Sequence, residues 1–481
     1  MISLFDKILK RVVKNMSINH ETMLNLYSSI EQILETARKA NHHRIGEFNV
    51  NNRSLDKKAK GSIGQIVEEG IFHYPVNSRA EADFNNLGVE LKVTGLKKLK
   101  NNHLAMKERL VLNIINYFEE ANVDFEHSSF WVKNKLLLIM FYLYEYERND
   151  SNYMILESVL HKFLPKDLEI IKSDWKIIHD KIVNGEAQNI SEADTMYLGA
   201  CTKGADAASS YREQPNSPVK ARQRAYCLKA SYMNSFIDKV FQNKTYDEIV
   251  SYDEIKGHSF EYLIRLRLCN YFGKTEAELL NQFGISKTAK SRFNLLCAKM
   301  LGINGSINDS DEFKKANIEL KTIRVEENGT IREHMSFPHF VYKDIVNKDW
   351  EDSDIFNKFY STKFLFVIFK KTNGEYRLSN VKLWNMPYQD IEKYVKPVFE
   401  QTKEVIARGE IVKQIMNGKY YTNFVGSTFN GVCHVRPHDQ KGIDKTQKGL
   451  ELPVADKLTG LTRYTKHCFW LDRDYVLEQI K

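Results

Sequence analysis

The sequence predicts an α/β protein made of two tandem copies of one domain. Three observations carry that prediction. The chain has 481 residues, too many for one ordinary domain. Apolar runs of strand length alternate with stretches whose apolar residues recur at helical spacing. And an ordered series of segments in the first half returns, in the same order, in the second.

The repeat is read from four pairs. "KGSIGQIVEE" at 60 has a counterpart in "KGHSFEYLIR" at 256, and "FNNLGVELKV" at 84 in "FKKANIELKT" at 313. "KLLLIMF" at 135 returns as "KFLFVIF" at 363, and "IVNGE" at 182 as "IARGE" at 406. The offsets are 196, 229, 228 and 224, so the register is nearly constant after the first pair. The boundary is expected between 240 and 250, around "FQNKTYDEIVSYDE", giving domains 1–240 and 250–481.

The elements follow in order. Residues 1–45 read as helices, beginning with "MISLFDKILKRVVKNM", which has no small-residue cleavage site and is not read as a signal peptide. Residues 60–72 place Ile63, Ile66, Val67, Gly70 and Ile71 on one helical face, with Glu68 and Glu69 at its flank. A strand is expected over 87–94. A second is expected from about 131, in "WVKNKLLLIMFYLYE", covered on both faces. Leu168, Ile171, Trp175, Ile178 and Ile182 predict a helix over 166–184. The segment 202–224, rich in Gly, Ser, Ala and Pro, is expected to be a basic loop.

Composition narrows the function. Hydrophobic residues make up 42% and charged residues 27%, as in ordinary globular proteins. The net charge of +8 permits a polyanionic partner without requiring one. Six cysteines without regular spacing argue against a secreted disulfide framework and for a reducing cytoplasm. A zinc site from Cys433, His434, His438, His467 and Cys468 is conceivable, but finger and ribbon spacings are missing. The longest apolar run, 136–144, is too short to span a membrane, so no membrane association is expected.

The chemistry is expected on the strand 87–94. Alternation puts Val89 and Leu91 on one face and Glu90 and Lys92 on the other. Asp83, seven residues before Glu90, can fold back toward the same point. Two carboxylates and a lysine at one strand end suit metal-assisted phosphodiester hydrolysis, since hard oxygen ligands hold Mg²⁺ and a lysine neutralises developing charge. A Glu-x-Lys pair alone is more often an ordinary surface ion pair.

Together, "KGSIGQIVEE", "ADFNNLGVELK", "VKNKLLLI", "IVNGE", "YLGACTKG" and "CLKASYMNSF" resemble the MutH family of the restriction-endonuclease-like fold over about 55–240. With a second, degenerate copy fused on, the chain is most similar to Sau-type GATC restriction endonucleases. The resemblance implies two tandem domains, each a mixed central sheet flanked by helices. It implies Asp83, Glu90 and Glu68 as metal-site carboxylates and Lys92 and Lys135 as active-site lysines, with Mg²⁺ as cofactor. It implies cleavage of double-stranded DNA at GATC, 5′ to the G, in a bacterial cytoplasm, with dimerisation or looping so that both strands are cut. Lys203, Arg222, Arg224 and Lys229 are candidate DNA contacts. The family's Arg-Pro pair in the base-reading loop is Cys201-Thr202 here, and its tyrosine in a later segment is Cys227.

The second half keeps Glu319 and Lys321 at the positions of Glu90 and Lys92, but has Glu312 for Asp83. The Glu68 position falls on Ile264, beside Arg265, so metal chemistry is expected to be lost there. Arg436-Pro437 and Trp470 occupy the family's reading positions, which implies a second DNA-binding, effector-like half. Two other readings stay open: a nicking repair enzyme like MutH, and a non-cleaving DNA-binding regulator.

Overall fold

In the computed structural model the described residues are 26–54, 61–76, 81–146, 152–204, 209–438 and 449–481. The helix expected over 1–16 lies outside them. The chain divides into two compact units. One holds Met1–Gln188 and Tyr197–Thr245; the other holds Asn189–Met196 and Tyr246–Lys481. The segment Asn189–Met196 thus departs from the simple expectation of one cut near 240–250. It is held in the second unit by hydrogen bonds from Lys363 Nζ to the Asp194 carbonyl and from Asn385 to the Asp194 carboxylate, both 3.0 Å.

The first unit opens with helices α1 (Ile30–Lys39) and α2 (Ser62–Gly70). Its main sheet has the order β2-β1-β4-β5, from β1 (Val89–Lys98), β2 (Leu104–Met106), β4 (Leu136–Leu143) and β5 (Met154–Lys162). β1 and β4 are parallel, and the other pairs are antiparallel. β4 is buried along nearly its whole length, which explains its unbroken apolar run. Each such fully buried side chain contributes about 1.5–3 kcal/mol. Gly70 is needed where α2 ends, because a Cβ there would lie 1.9 Å from the Phe48 carbonyl oxygen.

A second sheet has the order β3-β9-β6, from β3 (Leu110–Ile114), β6 (Leu198–Thr202) and β9 (Arg224–Leu228). α4 (Pro165–Val183) begins with proline at its first turn, where the missing N–H costs nothing. α5 (Ala230–Gln242) closes the unit.

Two expectations are corrected here. The sequence from 131 does not start a strand: Ser128 accepts a hydrogen bond from Trp131 N (3.1 Å) and caps a short helix, α3 (Ser129–Asn134), before β4 begins. And the expected basic loop at 202–224 is largely a hairpin, β7 (Tyr211–Gln214) with β8 (Ser217–Arg222), turning through Asn216 at φ 58°.

The second unit repeats this plan. Helices α6 (Phe260–Cys269), α7 (Arg292–Met300) and α8 (Asp311–Ala316) precede a sheet ordered β10-β12-β13. Here β10 (Ile318–Val325) runs parallel to β12 (Lys363–Thr372), and β13 (Glu375–Trp384) antiparallel, as β1, β4 and β5 do. A second antiparallel sheet is ordered β11-β19-β16, from β11 (Met335–His339), β16 (Cys433–Pro437) and β19 (His467–Leu471). Two hairpins, β14–β15 (Val412–Met416, Lys419–Thr422) and β17–β18 (Leu450–Glu451, Arg463–Tyr464), flank β16. α9 (Lys396–Ala407) precedes the first hairpin, and α10 (Arg473–Ile480) follows β19. Each unit is therefore α/β, with a mixed sheet and flanking helices. No described helix is long and apolar enough to cross a membrane.

Candidate active site

Gly88 sets the site up. It adopts a left-handed conformation (φ 65°) that few other residues accept, closing the turn Asn85–Leu87 just before β1. Phe84 and Val89 then exchange backbone hydrogen bonds of 2.9 and 3.3 Å. That tight return lays Asp83 against the start of the strand. Leu91 N donates to Asp83 Oδ2 at 2.9 Å, and Asp83 N donates to Glu90 Oε2 at 3.2 Å.

Glu90 is only 2% exposed. Its Oε1 accepts from Lys92 Nζ at 2.6 Å and lies 3.6 Å from Lys133 Nζ. Lys92 also donates to the Leu112 carbonyl at 3.0 Å, which fixes its head. Two cations and one carboxylate are thus gathered on the charged face of β1, while Val89 and Leu91 face the core.

α2 brings Glu68 to the same field. Burial, then repulsion from Asp83 and Glu90, pushes the Glu68 carboxyl up to about 7. Burial and Glu90 push Asp83 up to about 7, against the opposing pull of Leu91 N–H, Lys92 and Lys133. Tyr74 stands beside them: its hydroxyl is buried with no hydrogen-bond partner, and the negative charge of Asp83, Glu68 and Glu90 adds to burial in holding its proton.

These observations decide whether the site suits a divalent cation. Carboxyls that burial, and then mutual repulsion, make costly to ionise are stabilised in the charged form by a hard cation. The three do not gather their ligand atoms within 4.8 Å of one another, because Glu90 is drawn to Lys92 and Lys133. Mg²⁺ tolerates this, since it keeps several waters and needs only one or two carboxylates.

Lys135 is not part of this cluster. It is exposed, with Nζ 5.7 Å from the Trp131 ring centre. The reason is the short helix. On a strand, residues 133 and 135 would share a face; on a helix they point about 160° apart. The lysine that reaches Glu90 is Lys133, which sequence reasoning missed. Ser128 followed by an apolar run was the signal for that helix.

The expected DNA contacts divide. Lys203 and Arg222 are half-buried, and Arg222 Nε approaches Ser210 Oγ at 3.4 Å. Arg224 and Lys229 are each 1% exposed. Arg224 donates to the Ala200 carbonyl (2.8 Å), and Lys229 occupies the cap of α5, so neither presents its head at the surface. Arg212 and Lys220, on the hairpin, are the exposed bases of this region. In the second unit Arg436 and Trp470 are half-buried at the β16–β19 pair.

The counterpart positions in the second unit are built differently. Glu319 pairs with Lys358. Lys321 Nζ turns to the Ser336 carbonyl (3.4 Å) and the Phe337 ring (5.0 Å), and burial lowers its proton affinity. Glu312 is fully buried and accepts from Ile249 N (2.9 Å) and Val250 N (3.2 Å). Ile264 is a core residue of α6, a helix packed on β13. The 229-residue offset that relates Glu90 to Glu319 places Glu68 at Cys297 instead, on α7, whose Phe293 meets the β12 ring Phe369 at 5.5 Å. Cys297 is a buried thiol whose proton is held by desolvation. By either match the position of Glu68 holds a buried, uncharged side chain, Ile264 or Cys297.

The cysteine–histidine set considered for zinc is not brought to one point: Cys468 Sγ lies 3.6 Å from His438 Nδ1, but the others turn elsewhere. Cys433 and His434 point to opposite faces of β16, and His467 is engaged by Tyr342 and Thr465, at 2.9 and 3.0 Å.

The family of the DNA mismatch repair enzyme MutH matches this chain twice, over residues 72–174 and 301–396. The chain is 34% identical to the type II restriction enzyme Sau3AI of Staphylococcus aureus, over 92% of its own length and 98% of that enzyme. It is also 25% identical to the DNA mismatch repair protein MutH of Shewanella woodyi, over 38% of its own length and 79% of that protein.

Proposed function

From a chain that belongs to the type II restriction enzymes built on MutH-like units, we propose a Mg²⁺-dependent deoxyribonuclease that cuts double-stranded DNA at GATC, 5′ to the G, in a bacterial cytoplasm. The observation that carries the reading is Glu90 held between Lys92 and Lys133, beside the folded-back Asp83.

Asp83 and Glu90, with Glu68 behind them, would hold the cation. A bound cation supplies charge neutralisation at the scissile phosphate and a more acidic water. The chain's own groups do the rest. Lys92 Nζ, fixed by the Leu112 carbonyl, sits where it can offset charge on a phosphate oxygen. Lys133 Nζ adds a second positive charge from the end of α3. Glu68 and Asp83 give up their protons near neutrality, so the site reaches full negative charge only when a cation arrives. The aromatic packing of Phe72, Tyr74 and Phe84 backs the cluster and keeps bulk water from its rear.

The second unit, with its Glu319 turned to Lys358, is read as a non-cleaving half that binds another DNA copy through Arg436 and Trp470. Double-strand cleavage then needs two chains or a looped pair of sites. The test is digestion of a GATC plasmid with Mg²⁺, followed by sequencing of the ends. Linear product with ends 5′ to the G supports the reading. Nicked circles as the end product would favour a repair-type nickase, and a stable complex without cutting would overturn the enzyme.

A further inference from the structure

A group of side chains outside the candidate active site has the chemistry of a transition-metal centre. His334, His434 and Asp472 place one ligand atom each within 4.8 Å of one another, the one such group among the described residues. They come from three places in the second unit: the residue before β11, the second residue of β16, and the cap of α10.

His434 is the central observation. It is fully buried, and neither ring nitrogen has a hydrogen-bond partner. Two such polar atoms left unsatisfied in the interior call for an explanation. The His334 ring meets it edge-on at 4.7 Å. His334 Nδ1 accepts from Arg473 N at 3.2 Å and lies 3.4 Å from Asp472 Oδ2. Oδ1 of Asp472 already caps α10 through Asp474 N (2.9 Å), which leaves Oδ2 facing the two imidazoles.

The duplicated fold supplies an internal control. Leu228 and Leu471 each precede a helix cap, and pair respectively with Leu110 and Leu198, and with Met335 and Cys433. By that register, the first unit carries Arg109, Gly199 and Lys229 at the positions of His334, His434 and Asp472. No ligand survives at any of the three. All three liganding types stand together only in the unit whose carboxylate site is dismantled.

We propose that His334, His434 and Asp472 bind one zinc ion, or a related imidazole-preferring divalent metal, in the second unit. Two imidazoles and one carboxylate form a three-ligand set of the kind zinc takes with an open fourth position. The donors must draw together from that spread to reach zinc's ligand distances of roughly 2.0–2.2 Å. A cavity of about 360 Å³, lined by Lys321, Arg324, Glu326 and Arg332, opens beside His334. The cations nearby are turned to other acceptors: Arg324 to Glu276 (2.9 Å), Arg332 to Glu326 (2.9 Å), Lys321 Nζ to the Ser336 carbonyl (3.4 Å), Arg436 Nη2 toward Ser427 Oγ (3.5 Å), and Arg473 Nη1 toward the Arg332 carbonyl (3.3 Å). Bound there, the ion ties the entry of β11, the strand β16 and the C-terminal helix together, so its binding energy becomes folding energy of this unit.

The test uses the full-length, tag-free protein. Zinc is titrated against a chromophoric chelator in excess Mg²⁺, and cobalt(II) is added separately to read the visible ligand-field bands. The expected result is one equivalent of tight binding, a four-coordinate cobalt spectrum, and a rise in Tm on adding zinc. Asp83→Asn should leave all three unchanged, which separates this site from the carboxylates of the first unit. His334→Ala and Asp472→Asn should each weaken binding at least tenfold and abolish the Tm rise. Asp472→Asn keeps a capping side chain, so α10 is retained and the variant folds for the comparison. Failure to take up zinc or cobalt, uptake unchanged in both variants, or uptake lost in Asp83→Asn would overturn the proposal.

Discussion

The strands β1 and β10 carry the same Glu-x-Lys pattern, and the structure gives it two different environments. On β1, Lys92 binds Glu90 at 2.6 Å and a buried Asp83 lies alongside. On β10, Glu319 is taken by Lys358, Lys321 leans on an aromatic ring, and Glu312 is committed to two backbone N–H groups. The motif fixes only which face the side chains share. What they do depends on the turn before the strand and the helix behind it. Gly88 lets Asp83 return to β1; Asn317, also left-handed at φ 54°, ends α8, whose Glu312 is buried and bonded to Ile249 and Val250.

The largest expected difference is catalytic. Lys92→Ala should lower the rate of GATC plasmid cleavage by about 10²–10³ or more, as removal of a preorganised charge-stabilising group does. Lys321→Ala should leave cutting measurable at a rate within a few fold of the parent. Equal loss in both would mean that the second unit shares the chemistry, and the contrast between the halves would collapse.

Next in size is the lysine pair near β4. Lys133→Ala should lower the rate by about tenfold to a hundredfold, while Lys135→Ala, exposed beside Trp131, should change it little. Single-turnover rates on one short duplex are the measurement. The reverse result would restore the expectation from sequence and put α3 in a different orientation on DNA.

That pair marks where the sequence was legible and where it was not. Strand alternation was enough to put Glu90 and Lys92 together, and the internal repeat was enough to reveal two α/β units. Both depend on short-range periodicity. Lys133 depended on recognising a six-residue helix, where one change of period rotates the wrong lysine into view. Arg224 and Lys229 look like surface bases in a linear reading, and only the closing of β6 and α5 over them shows that they are interior. Cys297 is reached by the strand offset of 229, whereas the motif match at 196 leads to Ile264. His334, His434 and Asp472 lie far apart in sequence and share no motif.

A third difference is pH-dependent. The Glu68 and Asp83 carboxyls, pushed up to about 7, bind more protons in the folded than in the unfolded chain between roughly pH 4 and 7. Stability contributed by this cluster therefore falls as pH rises through that window, and is lowest above 7. Cation binding requires the deprotonated form, so Mg²⁺ should raise Tm more at pH 8 than at pH 6. Asp83→Asn should flatten both trends. Thermal melts across pH, with and without Mg²⁺, check this. A Mg²⁺ effect that survives in Asp83→Asn would place the cation elsewhere.

The smallest expected effect separates DNA binding by the two units. Arg436 lies at the end of β16, and Arg212 and Lys220 lie on the β7–β8 hairpin. If each meets a phosphate, replacing any one by alanine lowers the salt slope of log Kobs by about 1, because one fewer counterion is released. If Arg436 instead reads a guanine, Arg436→Ala costs about 1–3 kcal/mol on GATC duplexes and little on scrambled ones. Titrations at several salt concentrations, on both duplexes, distinguish the cases. A sequence-dependent loss confined to Arg436 would make the second unit a reader of the same site that the first unit cuts. A uniform loss would make it an electrostatic anchor, and the retained Arg-Pro pair would then have no reading role.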